Sequence, residues 1–222
     1  PKSKFFQASS SEMYGKTFQK KQDEKSKFNP QSPYAISKLY GHYMTQNYRK
    51  SYKLFAVSGI AFNHESPLRG EEFVTRKITK GLVSILKGDL KVLELGNLYS
   101  KRDWGYAKEY AQAMWKILQL KKPEDFVLST GKTYTIKDFI DECTKVLKLN
   151  VIWKGKNLDL KLVDKKTGKV LIKINKKYFR PAEVDYLRGN SNKAHKLLKW
   201  KAETNLSDLV KIMLEDEFKY YN

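Results

Sequence analysis

Strand-like and helix-like segments alternate along this chain, and that alternation predicts an α/β fold. Lys4-Phe5-Phe6-Gln7-Ala8 reads as a short buried strand running into the polar loop Ser9-Ser10-Ser11-Glu12. Asn29-Pro30 and Ser32-Pro33 mark a turn, after which Tyr34 to Tyr52 reads as a helix. A core strand is expected over Leu54 to Ala61, a helix over Glu71 to Lys87, and a strand over Lys91 to Leu95. Ala107, Tyr110, Ala111, Met114, Trp115 and Leu118 keep helical spacing. After the strand Phe126-Val127-Leu128, Thr135 and Asp138 form a capping-box-like start for a helix running to Leu147. Leu158 to Val163 and Lys169 to Ile174 read as a hairpin, and Leu206 to Phe218 as a final amphipathic helix.

With 222 residues, 41% of them hydrophobic and 13% aromatic, the chain can bury a proper core. Its single cysteine, Cys143, cannot form an internal disulfide, so a reducing, cytoplasmic setting is expected. No apolar stretch approaches the roughly 20 residues that span a bilayer, and no signal peptide is visible. The net charge of +20 raises the question of nucleic acid. The excess is nearly all lysine, scattered in pairs without one dense stripe, whereas groove readers favour arginine for its planar fork. The charge therefore reads as a solvated lysine-rich surface, with no nucleic-acid partner expected. A nucleotide substrate would still benefit from the positive field.

The chemistry concentrates on Tyr34 and Lys38, one turn apart on the predicted helix, behind the loop carrying Ser10 and Glu12. A phenol serves as a base only when a nearby positive charge stabilises its anion, which Lys38 would supply. Glu12 adds a carboxylate acid or base, and Ser10 a hydroxyl donor for a substrate oxygen. A lone Tyr-x-x-x-Lys occurs often by chance as a surface pair. Here its placement behind a strand ending in Ser-Ser-Ser-Glu resembles the catalytic arrangement of extended short-chain dehydrogenases/reductases.

Longer blocks narrow the resemblance. Ala8 to Gly15, Pro33 to Tyr40, Phe62-Asn63-His64-Glu65-Ser66-Pro67-Leu68-Arg69-Gly70, Phe73 to Ile78, Lys101-Arg102-Asp103-Trp104-Gly105 and Tyr178 to Asp185 are similar to the GDP-mannose 4,6-dehydratase family, in family order. That resemblance implies an NADP-dependent internal redox reaction with loss of water from GDP-mannose. Its catalytic residues would be Ser10, Glu12, Tyr34 and Lys38. Tyr34, Lys38, His64 and Arg69 would meet the cofactor. Ser11, Asn63, Lys77, Arg102, Arg180 and Glu183 would meet the GDP-sugar, and no metal is expected. Alone, His64 would read as a loop histidine, Arg69 as a solvated arginine and Lys77 as one more exposed lysine. Ser10 stands where the family usually has threonine, Leu68 where it usually has arginine, Tyr106 where histidine is common and Asn190 where aspartate is.

The implied architecture is the C-terminal part of a Rossmann fold with a smaller α/β sugar-nucleotide domain. Residues 1–65 would belong to the former and 66–222 mainly to the latter, with about 91–120 returning to the Rossmann part. The glycine-rich turn that binds a dinucleotide pyrophosphate is not among the 222 residues. The resemblance places it before Pro1 with the first four or so strands, so this chain alone is expected to bind NADP weakly or not at all. The family also implies a homodimer or homotetramer. Three alternatives stay open: another nucleotide-sugar dehydratase, epimerase or reductase; a basic nucleic-acid-binding domain; and an inactive fragment.

Overall fold

The computed structural model describes residues 3–17, 19–179, 184 and 186–220. In chain order its first elements are β1 (Phe5–Ser10), α1 (Pro33–Tyr52), β2 (Ala56–Ala61), β3 (Asn63–Glu65), α2 (Val74–Lys87), β4 (Leu93–Leu95), β5 (Lys101–Arg102) and β6 (Trp104–Tyr106). They are followed by α3 (Ala107–Leu118), β7 (Phe126–Leu128), β8 (Tyr134–Thr135), α4 (Ile136–Val146), β9 (Val151–Lys154), β10 (Lys161–Asp164), β11 (Val170–Ile174), α5 (Asn192–Leu198) and α6 (Leu206–Tyr220). Two compact units interleave along the chain. The first comprises Pro1–His64, Lys101–Thr133 and Val184–Thr204, the second Glu65–Ser100, Tyr134–Glu183 and Asn205–Asn222.

The first unit is organised by a parallel sheet in the order β1-β2-β7. Every residue of β2 is buried, as expected of a central strand covered on both faces. Gly59 lies where a side chain would not fit, since an added Cβ would stand 2.5 Å from the Phe6 ring. One face packs Val57, Phe126 and Leu128 against Tyr110, Ile117 and Trp200. The other packs Ile60, Phe62 and Val127 against Met13, Tyr14 and Leu187. Burying each such side chain contributes about 1.5–3 kcal/mol. Helix α1 starts as the sequence predicts, with the Ser32 hydroxyl accepting from the Ala35 amide at 3.1 Å and Pro33 in the first turn.

The second unit has a four-stranded sheet in the order β4-β11-β10-β9, with β4 and β11 parallel and the other pairs antiparallel. Helix α6 packs against α2 and α4 over buried Ile78, Leu82, Phe139, Cys143, Leu209 and Met213. The capping box at Thr135 and Asp138 forms as expected. Helix α2 begins three residues later than the sequence suggests, because the Phe73 amide closes a turn onto the Gly70 carbonyl and Phe73 itself is extended. The hairpin is present, but its first strand starts at Lys161 because Asn157–Asp159 forms a 3-10 turn. Strand β9 and helix α5 have no counterpart in the sequence expectation. Among the described residues, no helix is long and apolar enough to cross a membrane.

Candidate active site

The first unit's parallel register pairs Ser10 with Ala61 and Ala61 with Leu128, so three strands end side by side. The carboxyl edge of such a sheet is where α/β folds bind ligands. At that edge Ser10 caps a single 3-10 turn, Ser11–Tyr14, its hydroxyl accepting from the Glu12 amide at 3.2 Å. Buried Met13 and Tyr14 anchor the turn; the Tyr14 hydroxyl donates to the Asp23 carbonyl at 2.7 Å. Gly15 ends the turn at φ 52, pressed so closely on the Asn29 carbonyl that a Cβ would stand 1.7 Å from its oxygen. Glu12 is half-buried and Ser11 is buried.

Helix α1 lines the same edge. Tyr34 in its first turn is 54% exposed. One turn on, the Lys38 ammonium lies 5.6 Å from the Tyr34 ring centroid and donates to the Ala8 carbonyl of β1 at 3.1 Å. The phenol, ammonium, serine hydroxyl and carboxylate of the sequence reading therefore sit on one strand end and the helix tied to it.

The chain leaving β2 supplies Asn63 and His64. Among the described residues the buried Asn63 Oδ1 has no hydrogen-bond partner, an acceptor suited to a bound donor. His64 stacks on Tyr110 at 4.9 Å, and its Nδ1 lies 2.8 Å from the Phe62 carbonyl. Because a carbonyl only accepts, the Nδ1 proton is fixed there. Arg102 donates to the Lys101 carbonyl at 3.0 Å and to the Val184 carbonyl at 2.6 Å.

Two expected site residues lie in the second unit. Arg69 pairs with buried Glu65 at 3.2 Å and covers the Phe73 ring at 3.6 Å, so it is not merely solvated. Lys77 stands 4.1 Å over the Tyr178 ring. Arg180 and Glu183 lie outside the described residues. Among the described residues no cluster of three or more histidine, cysteine or acidic side chains could hold a metal ion.

The structure adds charged groups that sequence reading left unassigned. Asp103, fully buried, accepts from the Thr130 amide and hydroxyl, the Gly131 amide and the Gly189 amide at 2.6–3.2 Å. Burial pushes its carboxyl up, against the pull of those donors. Asp125 is chelated by Arg49 at 2.7 and 2.8 Å and also accepts from the Ser58 amide and Gln46. Burial alone would raise the Asp125 carboxyl, but the Arg49 guanidinium holds it below the usual range. Asp103 was visible inside the Lys101–Gly105 block; the Arg49–Asp125 pair, 76 residues apart, had no local signal.

The structure matches RMD from Pseudomonas aeruginosa, solved with NADPH, at a TM-score of 0.80 over 97% of this chain and 66% of that one, with 18% identity. The same fold is found in the dTDP-glucose 4,6-dehydratase of Bacillus anthracis, matched at a TM-score of 0.78 over 97% of this chain and 62% of that one, with 18% identity. The family model for GDP-mannose 4,6 dehydratase matches residues 1–213, and the chain belongs to that family. The GDP-mannose 4,6 dehydratase of Dictyostelium discoideum is 47% identical over 99% of this chain and 62% of that protein. That of Homo sapiens is 46% identical over 95% of this chain and 57% of that protein. The chain spans about three fifths of the length of these curated relatives.

Proposed function

We propose that the protein containing this chain is a GDP-mannose 4,6-dehydratase, converting GDP-mannose to GDP-4-keto-6-deoxy-mannose and water. The observation that carries the reading is the placement of Ser10 and Glu12 at the end of β1, with Lys38 of the Tyr34 helix bonded to that strand. Family membership over residues 1–213 supports the substrate. In the reading's terms, Tyr34 receives the proton of the C4 hydroxyl, Lys38 supplies the positive charge a phenolate needs, and Ser10 donates to the C4 oxygen. Once C4 is a ketone the C5 proton is acidic enough for Glu12 to remove. Glu12 then gives that proton to the departing C6 hydroxyl, and C5, once C6 is reduced, takes the proton that Tyr34 had received, so both side chains return to their starting states. Oxidation must come first, because an unactivated C5–H is too weak an acid for a carboxylate.

The open face of Tyr34 and the Lys38 ammonium at the carboxyl edge suit the nicotinamide end of NADP. When bound there, NADP would supply the redox capacity, taking hydride from C4 and returning it to C6. His64 and Arg69 complete the proposed cofactor contacts, and Ser11, Asn63, Lys77, Arg102, Arg180 and Glu183 those to the GDP-sugar. The reading includes a homodimer or homotetramer, and the lone buried thiol of Cys143 supports a cytoplasmic setting.

The test is incubation of this chain, and of the longer protein where one exists, with GDP-mannose and NADP⁺, followed by detection of the 4-keto product. Glu12→Gln should keep the fold and reduce turnover by about 10²–10⁴-fold, the usual range for a lost acid–base group. Undiminished dehydratase activity in that variant would refute the role given to Glu12. Steeply salt-dependent RNA or DNA binding, with no protection by GDP, would favour a basic nucleic-acid-binding domain instead.

A further inference from the structure

The row of α1 that carries Tyr34 and Lys38 continues at the same spacing through His42 and Gln46. Both His42 and Ser9 are buried, and the Ser9 hydroxyl lies 3.1 Å from His42 Nδ1. The His42 Nε2 lies 3.0 Å from Gln46 Nε2, which also donates to Asp125 Oδ2 at 3.0 Å. Asp125 is in turn clamped by Arg49. A polar seam thus runs from the residue beside Ser10, through the helix interior, to the start of β7.

The donor inventory of this seam has one solution. Asp125 takes hydrogen bonds from Arg49, from the Ser58 amide and from Gln46, so it acts as an acceptor and Gln46 must present its NH₂. The second hydrogen of that NH₂ points to His42 Nε2, which must therefore be a bare acceptor. The ring proton is left on Nδ1, donating to the Ser9 hydroxyl. A second ring proton would set N–H against N–H at Gln46. Turning the amide would relieve that clash only by facing its oxygen to the Asp125 carboxylate.

We infer that His42 is a positioning residue: as the neutral ring protonated on Nδ1, it fixes the Ser9–Glu12 segment against the helix that carries Tyr34 and Lys38. This rests on the dehydratase reading for its consequence, since only then does the spacing of Ser10 and Glu12 from Tyr34 govern a reaction. Two bonds set that spacing, Lys38 to the Ala8 carbonyl and His42 to the Ser9 hydroxyl. Misplacing reacting groups by about 1 Å can cost about 10²-fold in rate. The charged groups facing His42 are Glu24 before α1, Arg49 on α1, Glu124 and Asp125 before β7, and Lys193 on α5, around a cavity of ≈ 260 Å³. Lys193 pairs with Glu124 at 2.8 Å, and Glu24 accepts from the Val127 amide at 2.8 Å. Burial disfavours the imidazolium more than Asp125 favours it, and Arg49 opposes it further.

The chain has three histidines, so long-range ¹H–¹⁵N NMR can assign each ring. His42 should show the Nδ1–H tautomer and stay neutral below the ordinary histidine midpoint of about 6.5. Gln46→Leu, which removes the NH₂ constraint, should raise that midpoint. In His42→Phe, amide exchange at Ser10–Met13 should quicken at least about tenfold while α4 stays protected. A proton on Nε2, an ordinary midpoint, or unchanged exchange at Ser10–Met13 would overturn the inference. In active enzyme, His42→Phe should lower kcat by about tenfold or more and leave KM for GDP-mannose unchanged. Inactivity of the longer wild-type protein would count against the dehydratase reading, while the NMR and exchange results still decide the role of His42.

Discussion

Asp103 gathers four donors from two separate loops onto two carboxylate oxygens, beside the direct bonds from Arg188 to the Gly131 carbonyl and from Ser191 to the Ser129 carbonyl. Asparagine keeps the shape but replaces one acceptor oxygen with an NH₂ facing donors. Each buried group left unsatisfied costs about 1–3 kcal/mol. Asp103→Asn should therefore lower the denaturation midpoint by an amount equivalent to about 2–4 kcal/mol, with an unchanged denaturant slope. An unaltered midpoint in urea would show that the four bonds contribute no net stability. The contrast with Tyr34 explains which candidate site residues were legible. Tyr34, Lys38, Ser10 and Glu12 carry their signal within a few residues of strand, turn and helix. Asp103 reaches partners 27 and 86 residues away, and His42 reaches Ser9 33 residues back. Such pairings exist only once the chain has folded, so neither residue's partners could be read from its neighbours in the sequence.

At the scale of elements, local chemistry predicted what local chemistry controls. The start of α4 was readable because its cap lies within four residues: the Thr135 hydroxyl accepts from the Asp138 amide at 2.9 Å, and the Asp138 carboxylate accepts from the Thr135 amide at 2.8 Å. Thr135→Ala should cost about 1 kcal/mol, lowering the thermal midpoint by about 2–4 °C for a chain of this size. Thr135→Ser should restore most of the loss, which calorimetry would resolve. Strand β9 escaped notice because four alternately half-buried residues are too few to establish a period. Helix α5 escaped because Asn192, Lys193, His195 and Lys196 mask its two buried residues, Ala194 and Leu198. The early end assigned to the turn before α2 has the opposite cause. Its helix-forming Glu71 and Glu72 are outweighed by the turn that Gly70 and Phe73 close.

For the molecule as a whole, the net charge of +20 opposes compaction. Exposed lysines repel through water and are screened within a Debye length of about 10 Å at 0.1 M salt. The thermal midpoint should therefore rise between about 0.02 M and 0.5 M sodium chloride, most steeply at acid pH. Buried groups add a part that salt does not reach. His42 is held below its ordinary value in the fold, so its contribution is complete above about pH 6.5 and is lost as pH falls through the folded value. Asp125 behaves alike, at lower pH, because its folded value is also depressed. Glu24 and Asp103 have the opposite sign: burial raises both, so acidification through their folded values favours the fold. Between pH 7 and 5, high salt should remove the general repulsion and expose a residual loss of midpoint. That residue should be smaller in His42→Phe, since the variant has no ring to protonate. An equal acid slope in wild type and variant, measured by calorimetry at about 0.5 M salt, would assign the loss to groups other than the seam behind Ser9.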